Sequence, residues 1–222
     1  LRNLLRVTIL CITASFVIAP LLATALGGFK TNAEIRTSAF GLPETWNFEF
    51  YNAIVSDPAF WRYLGNSLLI SVSAVILTLL VGAAAAYVFA QIRFFGSRML
   101  FSYLLLGLMF PFATAILPLF ILVRDIGLLE SYWSVILPQT AFGLSLAILL
   151  FRTFFEHAYV DGCGYIRFFW RFTLPLSTPI LATVGVFVFV QSWNNFLLPL
   201  VMLNSREAFT WPLGMMQFRG EF

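Results

Sequence analysis

The sequence predicts an all-α fold, a polytopic bundle of helices that cross a membrane. Of its 222 residues, 60% are hydrophobic and only 10% are charged, whereas about 25% of the residues in a typical soluble domain are charged. The mean hydropathy is +0.91. Five apolar runs approach or exceed the ~20 residues that a membrane-spanning helix needs, and none contains Asp, Glu, Lys or Arg. They cover residues 7–26, 68–90, 99–123, 133–150 and 179–203.

The first apolar run is predicted to be a retained membrane helix. It is longer than the core of a signal peptide, which favours a helix that stays in the mature protein. The stretch 27–67 contains a proline and several aromatic residues, in GLPETWNFEFYNAI, which favours a packed cap over a flexible linker. We therefore expect residues 1–62 to form the first helix and an extracytoplasmic cap, and residues 63–222 to form the core.

Three features predict that the later helices are interrupted or closely packed. Pro111 and Pro118 lie inside the third run, where proline removes a backbone hydrogen bond and kinks a helix. The polar stretch QSWNN, residues 191–195, breaks the fifth run. The small residues of VGAAAAY, residues 81–87, allow a second helix to approach closely. These features indicate a bundle with a polar seam rather than an inert anchor.

The placement of the arginines favours a cytoplasmic N-terminus. The positive-inside rule acts on Lys and Arg near the ends of spans. On this topology, seven arginines lie close to the spans on the inner side: Arg2, Arg6, Arg93, Arg98, Arg152, Arg167 and Arg171. The six remaining basic residues, and most of the acidic ones, then fall on the outer side.

Several classes of function find no support in the residues. The net charge of +3 gives no reason to expect nucleic acid. Cys11 and Cys163 are far apart and are expected to be free thiols, and His157 has no partner at metal-ligand spacing. No catalytic residues are predicted, because no nucleophile–base set converges and the phosphate-binding pattern G-x-x-x-x-G-K-[ST] is absent. The predicted spans also lack the ionisable groups that ion-coupled carriers use. Transport energy would therefore come from another subunit.

The polar segment 156–176, EHAYVDGCGYIRFFWRFTLPL, interrupts this apolar chain, and we call it the elbow. Its first part is predicted to be a helical turn that ends at Asp161 and Gly162, because Gly tolerates the left-handed backbone that closes a helix. Arg167 and Arg171 follow at i and i+4 on a second short helix. Two short helices joined by a Gly turn suit a knob that docks into a partner's groove.

The elbow resembles the E-A-A…D-G…L-P signature of permease subunits of bacterial ATP-binding-cassette (ABC) importers. The matching residues are Glu156, Ala158, Asp161, Gly162, Leu174 and Pro175. Five other stretches are similar to the carbohydrate-uptake, maltose-type branch of these permeases: FKTNAEI from residue 29, WNFEFY from 46, NSLLIS from 66, ILPQTAFGL from 136 and WNNFLLPLVMLNS from 193. The resemblance therefore extends along nearly the whole chain.

This resemblance implies the type I importer fold and ATP-driven uptake of a sugar, oligosaccharide or polyol derivative across the bacterial inner membrane by alternating access. It implies three kinds of partner: a homologous second permease subunit, two ATPase subunits that hold ATP and Mg, and an extracytoplasmic solute-binding protein. No cofactor and no metal is expected on this chain. The elbow residues implied to couple to the ATPases are Glu156, His157, Ala158, Asp161 and Gly162.

The sequence departs from the family pattern in three places. His157 stands where the signature has Ala. Phe155 joins Glu156 directly, where the family has a longer link, so either a deletion or missing residues is expected. The chain stops at Phe222, where such permeases continue into a sixth span, so we expect a chain truncated at its C-terminus.

Alternatives remain open for the site residues and for the function. Gln191, Asn194 and Asn195 either line the solute path, where amides suit hydroxyl-rich solutes, or form interhelical bonds and helix caps. Arg167 and Arg171 either contact the ATPase or anchor at lipid headgroups, and the second is favoured. The alternative functions are a membrane scaffold that transports nothing and, less favoured, an intramembrane enzyme.

Overall fold

The computed structural model describes residues 2–156 and 164–218, and within these ranges all regular elements are helices. The predicted all-α bundle is confirmed. A π-helical turn, Phe169–Thr173, and a 3₁₀ turn, Arg206–Ala208, accompany the α-helices. The α-helices are α1 Arg2–Gly27, α2 Asn32–Thr37, α3 Glu49–Ser56, α4 Pro58–Gln91, α5 Ser97–Leu106, α6 Phe112–Asp125, α7 Trp133–Phe155, α8 Tyr165–Phe168, α9 Leu174–Leu176, α10 Thr178–Trp193, α11 Leu197–Met202 and α12 Trp211–Phe218.

The described residues fall into two compact units, the first ending at Trp61 and the second beginning at Arg62. In the first unit, α2 begins with a capping box, in which Thr31 and Glu34 each bond the other's backbone N–H. The ring of Phe29 lies 5.2 Å from Trp46 and 4.6 Å from Tyr51, centroid to centroid. The buried Nζ of Lys30 donates to the carbonyl oxygen of Ser38 at 2.7 Å. These contacts order the segment locally, and its role as an extracytoplasmic cap stays a prediction.

The core of the second unit forms where α4, α7 and α10 meet. The small residues Ala83 and Ala86 of α4 are buried with Ala147 and Phe151 of α7. A Cβ added at Gly82 would lie 3.1 Å from the Cβ of Ala147, so the close approach predicted from VGAAAAY is confirmed. A second core cluster joins α4, α6, α7 and α11 at the other end of the bundle.

Side chains near the start of α4 fix the chain that follows α11. The amide nitrogen of Asn66 donates to the carbonyl oxygens of Glu207 and Phe209 at 2.8 and 2.9 Å. Tyr132 donates to the other end of the same amide, and Ser67 accepts from the backbone of Trp211. These bonds tie the 3₁₀ turn and the start of α12 to the helix bundle.

The third and fifth apolar runs are both interrupted, as predicted. The third run divides into α5 and α6, with Pro111 in extended conformation at the break and Pro118 within α6. The fifth divides after Trp193, and α11 begins at Leu197. In the part of the chain that the structure describes, three single helices and one bent pair are long and apolar enough to cross a membrane. Five spans therefore stay a prediction.

Candidate functional site

A cavity of about 390 Å³ lies where the two interrupted runs meet α7. Gly107 and Phe112 border it from the α5–α6 break, and Phe142 borders it from α7. The rings of Phe112 and Phe142 pack edge to face at 4.9 Å. The polar residues that line the cavity are Gln139, Gln191, Ser192 and Asn195. Two predicted path residues, Gln191 and Asn195, therefore share one cavity.

Asn194, the third predicted path residue, borders an adjoining cavity of about 440 Å³. That cavity shares Phe112, Gln191 and Asn195 with the first. All three predicted residues consequently lie around one polar region at the α10–α11 break, where helix carbonyl and amide groups are left without their usual partners.

Asn194 and Asn195 also satisfy the backbone at this break. The side-chain amide of Asn194 donates to the carbonyl oxygen of Val190 at 2.8 Å. The side-chain oxygen of Asn195 accepts from the backbone N–H of Leu198 at 3.1 Å, which caps the start of α11. Both asparagines therefore act as caps, as the second alternative predicted. Each side-chain amide still has a polar atom that can face the cavities.

Gln191 differs from these two asparagines. Its side chain is exposed and forms no hydrogen bond to any residue in the described ranges. Both ends of its amide therefore remain available for a guest in the cavity.

The pairing of Gln139 with Ser192 was missed by sequence reasoning. These side chains belong to α7 and α10, are only 9% and 7% exposed, and are joined by a hydrogen bond from the Ser192 hydroxyl to the Gln139 side-chain oxygen. The Gln139 side-chain nitrogen is buried, with no protein partner in the described structure. A buried amide donor beside a cavity favours a polar guest, because leaving it unbonded costs about 1–3 kcal/mol. The sequence feature that could have pointed to Gln139 is that it is the only amide side chain in the run 133–150.

The elbow is anchored at the opposite end of α7. Glu156 closes that helix, and its carboxylate accepts from Arg152 at 2.8 Å. The guanidinium of Arg152 lies 3.9 Å from the centre of the Phe101 ring on α5. The only elbow residue of the predicted coupling set that the structure describes is Glu156. His157, Ala158, Asp161 and Gly162 lie outside the described residues.

One turn of α4 bonds the chain on both sides of residues 157–163. The side-chain nitrogen of Gln91 donates to the carbonyl oxygen of Phe155 at 2.8 Å. The Tyr87 hydroxyl donates to the carbonyl oxygen of Tyr165, also at 2.8 Å. Phe155 and Phe168 are buried beside Tyr87. The chain before residues 157–163 and the chain after them are therefore both bonded to the same end of α4.

The described residues contain no group of three or more His, Cys, Asp or Glu that could hold a metal ion.

Comparison with known proteins identifies the family to which this chain belongs. The diacetylchitobiose uptake system permease protein NgcG of Streptomyces coelicolor is 36% identical over 215 residues, covering 93% of this chain and 71% of that protein. The probable ABC transporter permease protein YurM of Bacillus subtilis is 31% identical over 208 residues, covering 90% and 69%. The chain belongs to the family of sugar ABC transporter permeases. The predicted resemblance is confirmed, although no family model matches the sequence.

A solved structure supports the fold of this permease independently. A bacterial ABC transporter involved in the import of the acidic polysaccharide alginate superposes with a TM-score of 0.83, at 23% identity. The match covers 98% of this chain and 79% of that one. Since its sequence relatives are permease proteins, the chain is a membrane permease subunit, and membership of this family disfavours both the scaffold and the intramembrane enzyme.

Proposed function

We propose that this permease is one of two homologous membrane subunits of a bacterial inner-membrane importer for a neutral oligosaccharide, sugar or polyol derivative. The observation that carries the proposal is the cavity at the helix breaks. Its volume of about 390 Å³ falls within the ~300–1,000 Å³ of small-molecule sites. The relative NgcG is named for diacetylchitobiose uptake, which supports a carbohydrate.

The chemistry of the lining supports a hydroxyl-rich and uncharged solute. The four polar lining residues are three amides and one hydroxyl, and the described lining includes no charged side chain. Amides both donate and accept hydrogen bonds, so they can follow the hydroxyls of a sugar ring. The buried nitrogen of Gln139 would regain a partner when a solute hydroxyl binds.

The elbow would couple this site to ATP hydrolysis. Two ATPase subunits holding ATP and Mg would bind it through Glu156 and the predicted residues His157, Ala158, Asp161 and Gly162. Closure of the ATPases would move the elbow, and the bonds from Tyr87 and Gln91 would carry that movement into α4 and α7. ATP would thus bias the switch between the inward-facing and outward-facing states. An extracytoplasmic binding protein would deliver the solute. The N-terminus of the permease would lie in the cytoplasm.

The test is uptake by the complete assembly in proteoliposomes, with saturating loaded binding protein and a panel of neutral and acidic oligosaccharides. Gln139→Leu and Gln191→Leu should each lower uptake of the preferred neutral solute about fivefold to tenfold, because a lost hydrogen bond is worth about 1 kcal/mol. The control Thr183→Val removes an exposed hydroxyl that bonds only its own helix on α10, so it should leave uptake unchanged.

Two outcomes would contradict this proposal. If the glutamine variants lower thermal stability but never change the rate or the preference among solutes, the polar seam only holds helices together. If acidic oligosaccharides are transported as well as neutral ones, the uncharged lining does not select the solute.

A further inference from the structure

The segment from α8 to α9 changes the direction of the chain where it enters the bundle. Residues Tyr165–Leu176 form an apolar helical segment that meets α10 at an angle of 73°. The apolar run that contains α10 is predicted to cross the membrane, so a segment at this angle would lie closer to the membrane plane than to its normal. This orientation is typical of amphipathic interfacial helices.

The side chains of this segment divide into an inner and an outer face. Phe168 and Thr173 are buried against the bundle. Ile166 is 79% exposed and Trp170, four residues later, is 57% exposed. Tyr165, Phe172 and Leu176 add further exposed apolar surface. An outward row of aliphatic and aromatic side chains is therefore left without a covering element in the described structure.

Two arginines run beside this apolar row. Arg167 and Arg171 are exposed, also four residues apart, and form no ion pair or hydrogen bond with any described residue. Arg93 and Arg98 lie at the same end of the bundle and are likewise unpaired within the described ranges. By contrast, Arg62, Arg124 and Arg152 each lie within 4.0 Å of a carboxylate. The elbow end therefore presents guanidinium groups whose charge the described protein does not compensate.

We propose that the segment Tyr165–Leu176 is a binding surface for anionic phospholipid headgroups. The guanidinium groups of Arg167 and Arg171 bind headgroup phosphate through paired N–H donors. Ile166 and Trp170 enter the boundary between the headgroups and the acyl chains, where indole rings are favoured. Neutral lipid would satisfy the apolar row but would leave both positive charges without a counterion, so selectivity for anionic lipid follows from the arginines.

A membrane partner fits this surface better than a protein partner. The segment Tyr165–Leu176 carries no acidic residue, so its exposed surface offers only positive charge and apolar side chains, the two features that an anionic membrane interface matches. With α10 crossing the membrane, the 73° bend would direct the segment along the membrane plane, where the apolar row and the arginines can both meet the headgroups. The proposal does not depend on which solute is transported.

The experiment measures lipid retained by the whole assembly, exchanged into nanodiscs of phosphatidylcholine with a minority of phosphatidylglycerol. Native mass spectrometry gives the ratio of bound anionic to neutral lipid. The variant Arg167→Gln/Arg171→Gln should lower this ratio about tenfold to thirtyfold, since each arginine at an anionic surface contributes roughly fivefold. Both side chains are exposed, so the variant should fold.

The matched control is Arg124→Gln/Arg206→Gln, which removes the same charge from exposed arginines at the opposite end of α7. An unchanged ratio in the control, together with a lowered ratio in the first variant, supports the proposal. An equal fall in both overturns it in favour of attraction to net charge. Loss of ATPase subunits from Arg167→Gln/Arg171→Gln, with lipid content unchanged, overturns it in favour of a protein interface.

Discussion

The carboxylate of Glu130 accepts hydrogen bonds from the backbone N–H of Asn204, at 3.0 Å for the shorter contact. The same carboxylate accepts from the side-chain amide of Asn204 and from the backbone of Ser205. Glu130 lies between α6 and α7, and its φ of 62° is in the left-handed region that disfavours side chains other than Asn, Asp and His. These bonds offset the strain and fix the chain just after α11, the helix whose start is capped by the cavity residue Asn195.

Replacing Glu130 with Gln should therefore lower the free energy of unfolding by about 1 kcal/mol, because a charged acceptor for several N–H groups is lost. The measurement is thermal unfolding of the purified assembly at pH 7. Glu207→Gln is the control, since that side chain is 82% exposed and makes one ion pair at 3.8 Å. If both variants unfold at the same temperature, the carboxylate of Glu130 does not hold the end of α11.

The effect of Glu130 should depend on pH. Desolvation raises the pKa of this carboxyl, but the hydrogen bonds from Asn204 and Ser205 outweigh it and hold the pKa below its ordinary 4.5. Stability from a lowered pKa is complete above the unfolded value and is lost as pH falls through the folded one. The difference in melting temperature between the wild type and Glu130→Gln should thus be constant from pH 8 to 6 and shrink below about pH 4.5. A constant difference down to pH 3 would contradict this assignment.

The hydroxyl of Tyr87 should matter for coupling more than for folding. Tyr87→Phe removes the hydroxyl that donates to the Tyr165 carbonyl oxygen, a bond worth about 1 kcal/mol, and keeps the ring beside Phe155 and Phe168. The solute imported per ATP hydrolysed should fall severalfold, while assembly and membrane insertion remain. Tyr103→Phe is the control, because that ring is 69% exposed. An unchanged ratio in Tyr87→Phe would show that this bond does not carry the movement of the elbow.

Local patterns predicted much of this structure. Long apolar runs predicted helices because backbone groups in lipid must bond within their own segment. Pro111 and the stretch QSWNN predicted the two breaks, since proline lacks an N–H and amides compete for backbone bonds. The small residues of VGAAAAY also predicted a close helix contact, because close approach depends on residue size, but they did not identify α7 as the partner.

The remaining features depend on the tertiary arrangement. Gln139 and Ser192 are 53 residues apart, and no periodicity shows that their side chains meet. The left-handed backbone at Glu130 follows from donors supplied by Asn204, far along the chain, and local preference opposes it. The orientation of Tyr165–Leu176, the second part of the elbow, is likewise set by packing of Phe168 and Thr173 rather than by the composition of that segment.

The contact of α4 with α7 gives the sharpest test of the packing. A Cβ at Gly82 would lie 3.1 Å from the Cβ of Ala147 and 3.5 Å from the Phe151 ring, whereas a Cβ at Gly65 meets nothing within 4 Å. Both glycines lie within α4, so Gly82→Val and Gly65→Val change helix propensity alike. Only Gly82→Val adds an isopropyl group to a filled core, which costs about 1–3 kcal/mol. Its melting temperature should therefore fall well below that of Gly65→Val, and because Phe151 belongs to the helix that leads into the elbow, its coupled ATP hydrolysis should fall too. Equal melting temperatures would mean that α4 and α7 are farther apart in the membrane than this contact requires.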